Sequence, residues 1–231
     1  MRLLLLETST ALCSAALAED GRVLQYREAE GRNVHSSLAA VLVRDILDAA
    51  GMKVSDCDAV AISKGPGSYT GLRVGVSTAK GLCFGAGIPL IGIGTPEVLV
   101  AQAAAEGLIP AGCRHIVPMI DARRMEVYSA IFTPEGQQLT EVEPTVVTEE
   151  SFAGILAAGT PVLFIGDGAE KCREVLGTHP NAVFAQGCPK ASALAAPATA
   201  AYNEKRFEDV AYFEPFYLKD FIATVSRKNL F

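Results

Sequence analysis

The chain has 231 residues, half of them apolar, with 26 acidic against 20 basic side chains and a formal charge of −6; that suffices for a sizeable core in one large domain or two small ones, while dispersed Lys and Arg in an acidic chain exclude the basic patch that autonomous nucleic-acid binding needs. No apolar run reaches the ~18 residues of a membrane span, and Met1-Arg2-Leu3-Leu4-Leu5-Leu6 meets Glu7 too early for a signal peptide, so a cytoplasmic globular protein is expected. Its six scattered cysteines form no Cys-x-x-Cys pair and read as reduced, mostly core residues.

Leu3 to Leu6 predicts a buried strand, Glu7-Thr8-Ser9-Thr10 a polar turn, and Ala11 to Ala18 a second strand, with Asp20-Gly21 a tight hairpin into a third strand from Arg22 to Glu28. Asn33 suits the cap of a helix from Val34 to Ala50, which Gly51 ends. Leu38, Val41, Leu42, Ile46 and Leu47 spread over more than one stripe, so this helix should be covered on two sides, by layers of its own fold or by its sheet and a partner. Ala59 to Ile62 is a strand that Gly65-Pro66-Gly67-Ser68 stops, and helix resumes from about Thr70. There Gly71, Gly75, Ala79 and Cys83 are spaced by four, leaving one face nearly bare while Leu72, Val76 and Leu82 supply bulk. A bare face means close backbone approach: packing on the chain's own sheet, a phosphate cradle, or a helix-docking surface. The dinucleotide fingerprint and the P-loop are both unmet, the latter because Leu72 stands where lysine is needed.

Pro89 to Gly94 predicts a fifth strand and Pro96 to Glu106 an alanine-rich helix, with a boundary at Pro110 to Cys113 that divides residues 1–110 from 111–231. The second part repeats the first. A strand from His115 to Ile120 ends at Asp121, turns through Ala122-Arg123-Arg124, returns from Met125 to Phe132, and turns at Pro134-Glu135-Gly136 into a strand from Gln137 to Val147. Thr148 or Ser151 caps a short helix; Val162 to Ile165 is a strand meeting Gly166-Asp167-Gly168, a helix follows through Val175, Val183-Phe184 is a short strand, and Ala191 to Asn203 is a helix. Residues 204–231 mix aromatics and charges without a period. Two such halves predict an α/β protein of two subdomains, each a mixed β-sheet flanked by helices, in the duplicated RNase H-like architecture of actin, Hsp70 and sugar kinases.

In that architecture phosphates lie between the two opening hairpins. The hydroxyls and carboxylate of Glu7, Thr8, Ser9 and Thr10 suit phosphate contact, whereas the second turn has no glycine and carries two arginines, read as solvated or as reaching phosphate from outside. Glu7 and Asp121 either meet across a cleft as paired carboxylates or each end a strand with backbone amides as partners. The three histidines, His35, His115 and His179, form no metal set, and no Gly-x-Ser-x-Gly surrounds a serine.

The loop GPGSYTGLRVG, the opening LLLETST, His35-Ser36-Ser37 and the late Tyr217-Leu218-Lys219 together resemble the TsaB family, formerly YeaZ, in order along the whole chain. The loop is the specific element. Glu7 departs from the family's usual Asp-Thr-Ser motif and matches the paralogous TsaD instead, but TsaD's His-x-x-x-His pair is broken here, since Ala39 follows His35 by four. The resemblance implies a non-catalytic subunit that docks on a TsaD-type catalytic partner for threonylcarbamoyl transfer to the tRNA adenosine beside the anticodon. It implies a four-helix interface made by the first two helices of each partner, here with Leu38, Leu42, Gly71, Leu72, Arg73, Val74, Gly75, Thr78, Ala79 and Leu82 as contacts, so that enlarging Gly75 is expected to abolish docking and leave the chain folded. It further implies a TsaE-type ATPase in the assembly, ATP there and no cofactor required by this chain, any nucleotide contact through Glu7, Thr8, Ser9, Thr10 and Asp121, tRNA held only through the complex, and a homodimer when the partner is missing. The rivals from another class are an autonomous ATP-dependent phosphotransferase and the peptidase of the family's old glycoprotease label.

Overall fold

The computed structural model describes residues 1–31 and 34–219, so the expected cap at Asn33 and the tail beyond 219 lie outside the described residues. Arg2–Glu7 (β1), Leu12–Glu19 (β2) and Arg22–Glu30 (β3) form an antiparallel meander. Its Asp20-Gly21 turn has φ of 49° and 79°, the doubly left-handed geometry that matches the twist of the strands it joins. Val34–Ala50 (α1) crosses to Ala59–Gly65 (β4), which runs parallel to β1, and Tyr69–Ala86 (α2) crosses to Leu90–Gly94 (β5), giving the order β3-β2-β1-β4-β5. After Thr95–Ala105 (α3) the pattern starts again. His115–Asp121 (β6), Glu126–Ser129 (β7) and Glu143–Val146 (β8) make the second meander, and Ala153–Leu156 (α4), Val162–Gly166 (β9), Ala169–Leu176 (α5) and Ala182–Gln186 (β10) complete it. The order β10-β9-β6-β7-β8, with β9 parallel to β6 and β10 parallel to β9, repeats the first sheet. This is the duplicated RNase H-like fold of the actin and sugar-kinase class.

Leu3 and Leu5 face one side of the first sheet, Leu4 and Leu6 the other, and all are buried because both faces are covered. Val43 and Ile46 of α1 and Val76 and Ala79 of α2 cover the Leu4 side. The Leu3 side takes Val98 of α3 together with Leu194 and Ala198. Because Leu99, Val100 and Ala103 pack on the second sheet, α3 is apolar towards both sheets and forms the wall between the halves.

Three expected elements differ. The long strands from Met125 to Phe132 and from Gln137 to Val147 shorten to β7 and β8, because the Ile131 amide bonds the Thr140 hydroxyl (2.9 Å) and the ladder breaks there. The helix from Ala191 begins as a 3-10 turn, Ala191–Leu194, and turns α-helical only over Ala195–Asn203 (α6). An α-helix from Ala191 would place Pro197 in its interior; starting at Ala195 puts that proline in the first turn, where no amide is needed. The boundary near 110 separates the two sheets, but residues 191–219 return to the first one. Glu208 donates its amide to the Leu90 carbonyl (2.8 Å) along the open edge of β5, Phe216 to that of Lys64 (2.7 Å), and the Lys80 ammonium bonds the carbonyls of Ala211 (3.1 Å) and Phe213 (2.9 Å). Lys219 then reaches Glu126 in the second half.

Candidate functional site

The turn between β1 and β2 is closed from above by the loop that follows β4. Ser68 donates its amide to the Ser9 carbonyl (2.6 Å), and its hydroxyl caps α2 by accepting from the Gly71 amide (3.2 Å). Thr8 donates its hydroxyl to the Gly71 carbonyl (2.9 Å). A Cβ at Gly67 would overlap the Ser9 carbonyl, one at Gly71 the Thr8 carbonyl, and one at Gly75 the Thr8 hydroxyl. The spacing of four on α2 thus does bring another backbone close, but it is the chain's own hairpin.

Glu7, Thr8 and Ser9 have no exposed surface and Thr10 is 5% exposed, so these residues do not line a phosphate site, and that expectation is corrected. Glu7 Oε1 accepts the Ser9 amide (2.7 Å). Its other oxygen has no partner among the described residues. Burial, opposed by hydrogen bonds from Ser9, pushes the Glu7 carboxyl above its ordinary range.

The second half repeats this turn with a different outcome. Asp121 Oδ1 accepts the Arg123 amide (2.7 Å), two residues on, as Glu7 does from Ser9. Both acids therefore serve as strand-end residues for their own turns, and the paired-carboxylate alternative is set aside. Gly166 (φ 133°) mirrors Gly65 (φ 113°), and Gly168 donates its amide to the Met119 carbonyl (2.9 Å). Asp167 accepts the Asp121 amide (3.0 Å), and burial pushes its carboxyl up to about 6. Lys171 is bound to the Asp121 carboxylate and to the Glu126 carbonyl. Here, however, Asp121, Arg123 and Arg124 stay exposed. The open cleft between the halves, about 550 Å³, is lined by Lys64, Glu97, Glu141 and Phe216 among others, and by none of Glu7, Thr8, Ser9, Thr10 or Asp121. Among the described residues no group of three or more His, Cys, Asp or Glu side chains is arranged to hold a metal ion.

Burial also divides the expected docking residues. Leu42, Gly71, Leu72, Gly75 and Ala79 are buried inside the chain and cannot meet a partner, whereas Arg73 is exposed and Leu38, Val74, Thr78 and Leu82 are half-buried. The outward side of α2 instead carries Thr70, Arg73, Ser77, Gly81, Phe84 and Gly85. Ser77, Gly81 and Gly85 form a second stripe spaced by four, about 200° around the helix from the first, and no atom lies within 4 Å of a Cβ built at either glycine. Phe84 beside it is 86% exposed. That stripe was visible in the sequence; which of the two faced outward was not.

The sequence model of the family described as "TsaD: tRNA N6-adenosine threonylcarbamoyltransferase" matches residues 29–226. The tRNA threonylcarbamoyladenosine biosynthesis protein TsaB of Escherichia coli (strain K12) is 30% identical over 229 residues, 96% of this chain and 96% of that protein. The chain belongs to the TsaB (YeaZ) family. Its relative of the same name in Bacillus subtilis (strain 168) is 32% identical over 228 residues, 95% of this chain and 94% of the relative. YeaZ from Pseudomonas aeruginosa has the same fold, with a TM-score of 0.80 at 28% identity over 94% of this chain and 99% of that one. The TsaB-like motifs, far apart in sequence, converge: the GPGSYTG loop covers the ETST turn, the Tyr217 ring packs on that of Tyr69 with centroids 4.8 Å apart, and the Arg73 guanidinium lies 5.4 Å from the Tyr69 centroid.

Proposed function

We propose that this TsaB-family chain is a non-catalytic subunit that docks on a TsaD-type threonylcarbamoyltransferase through the outer side of α1 and α2 and supports transfer to the tRNA adenosine beside the anticodon. The observation that carries this reading is the outward stripe of α2, where Ser77, Gly81 and Gly85 leave room for a neighbouring helix and Phe84 stands almost fully in solvent. An exposed aromatic beside bare backbone suits helix-to-helix contact. A non-catalytic role is supported by the closed first turn and by Asp121, whose carboxylate is neutralised by Lys171. The chain itself needs no cofactor on this reading; ATP and a TsaE-type ATPase belong to the assembly, tRNA is held through it in the cytoplasm, and the same stripe pairs two copies when the partner is absent.

Sedimentation velocity of the chain, alone and with the TsaD-type protein of its organism, tests the reading. Expected is a heteromeric complex for the wild type and its loss for Phe84→Asp, with an unchanged melting temperature. Failure of the two folded wild-type proteins to associate, or a Phe84→Asp complex of undiminished affinity, would overturn it. ATP turnover by the chain alone would favour the phosphotransferase instead.

A further inference from the structure

The β6–β7 tip holds two adjacent cations for which the fold supplies no use. Arg123 and Arg124 have φ of 72° and 50°, in the left-handed region that glycine or asparagine adopts far more readily than arginine. Backbone preference therefore opposes both arginines, and strain of this kind is retained where the side chains matter. The nearby acids are already occupied: Lys171 holds Asp121 and Lys219 holds Glu126. Neither guanidinium makes an ion pair among the described residues, and both side chains are exposed, whereas the equivalent turn of the first half is shut beneath its glycine loop. Two uncommitted planar guanidiniums on one short turn are suited to phosphate oxygens, which they bind in a bidentate manner.

We propose that Arg123 and Arg124 contact the phosphodiester backbone of the tRNA substrate once the chain is docked in its assembly. The inference rests on the docked, tRNA-directed role proposed above. With a net charge of −6 the chain alone is a poor polyanion binder, so the tip acts as a local contact on RNA that the partner already holds.

The test is the double variant Arg123→Gly/Arg124→Gly, in which glycine relieves the turn, so that a melting temperature equal to or above the wild type's shows an intact fold. Complexes of wild-type and variant chain with the TsaD-type partner are titrated with an unmodified tRNA transcript across a salt series. Expected is equal complex formation, a several-fold weaker tRNA affinity at low salt, and a slope of log K against log salt that is shallower by about 1 to 2. An unchanged slope and affinity would overturn the proposal. Loss of complex formation by the variant alone would also overturn it, by assigning the arginines to an acidic protein surface. Failure of the wild-type chain to associate would sink the docked role itself and this inference with it.

Discussion

The two hairpin turns at the ends of β1 and β6 are built alike and used differently. Each has an acid accepting the amide two residues on, and each sits beside a left-handed glycine that ends the parallel neighbour strand. In the first half the glycine leads through Gly67 and Ser68 into an 18-residue helix whose inner stripe seals the turn. In the second half the helix that follows has 8 residues and the turn remains open. The same topology thus yields a closed structural joint on one side and an accessible charged tip on the other. Fold identity alone does not carry a phosphate site; whether the turn is covered decides.

Closing the comparison by force should give the largest effects. Gly75→Leu drives a side chain into Thr8, and we expect a cost of about 3 kcal/mol or more with loss of the folded chain in urea titrations. This reverses the sequence expectation that such a variant stays folded. Gly168→Ala, beside the second turn, meets the Val127 methyl at 2.9 Å and the Met119 carbonyl and Asp121 amide at 3.1 and 3.2 Å; none of these overlaps as closely as Thr8 does at Gly75, and the cost should be about 1 to 2 kcal/mol.

The buried acids come next. Both carboxyls have folded pKa values above their ordinary ones, so each contributes stability at acid pH that is lost as pH rises through the folded value. For Asp167 that loss begins near the ordinary value of 3.8 and is complete once the pH has passed about 6. Asp167→Asn should therefore gain about 1–2 kcal/mol on the wild type between pH 4 and pH 7. Glu7→Gln should gain in the same direction, read from melting temperatures across the same series. A gain that shrinks as pH rises would contradict the assigned burial. Thr8→Val, which deletes the bond to the Gly71 carbonyl, should cost about 1 kcal/mol. Smallest is relief at the open turn, where Arg124→Gly is expected to stabilise by up to about 1 kcal/mol in the same titration.

Much of the architecture was legible because local chemistry and topology agree. Asp20-Gly21 dictated a hairpin, Pro66 stopped β4, and the repeated order of strand, acid and turn revealed the duplication. The site was only half legible. Glycines at a spacing of four announce a close neighbour but not which one, and Thr8 lies 63 residues from Gly71. The outward stripe follows the same rule on the opposite face, so only burial tells the two apart. Residues 206–219 show no period because they form neither helix nor strand ladder; they are held by isolated hydrogen bonds to Leu90, Lys64 and Lys80, by Phe213 in the core and by the Tyr217 ring on Tyr69.

That last segment bears on how the protein is made. The edge of β5 that Glu208 covers is synthesised more than a hundred residues before its cover, so on the ribosome the first sheet stays open along that side until Glu208 has emerged. An uncovered strand edge invites pairing with other chains, and contacts this distant in sequence form late and slowly. A chain interrupted after the second sheet would thus have most of its core, yet present a sticky margin, tying successful folding of the first sheet to the arrival of residues 208–216.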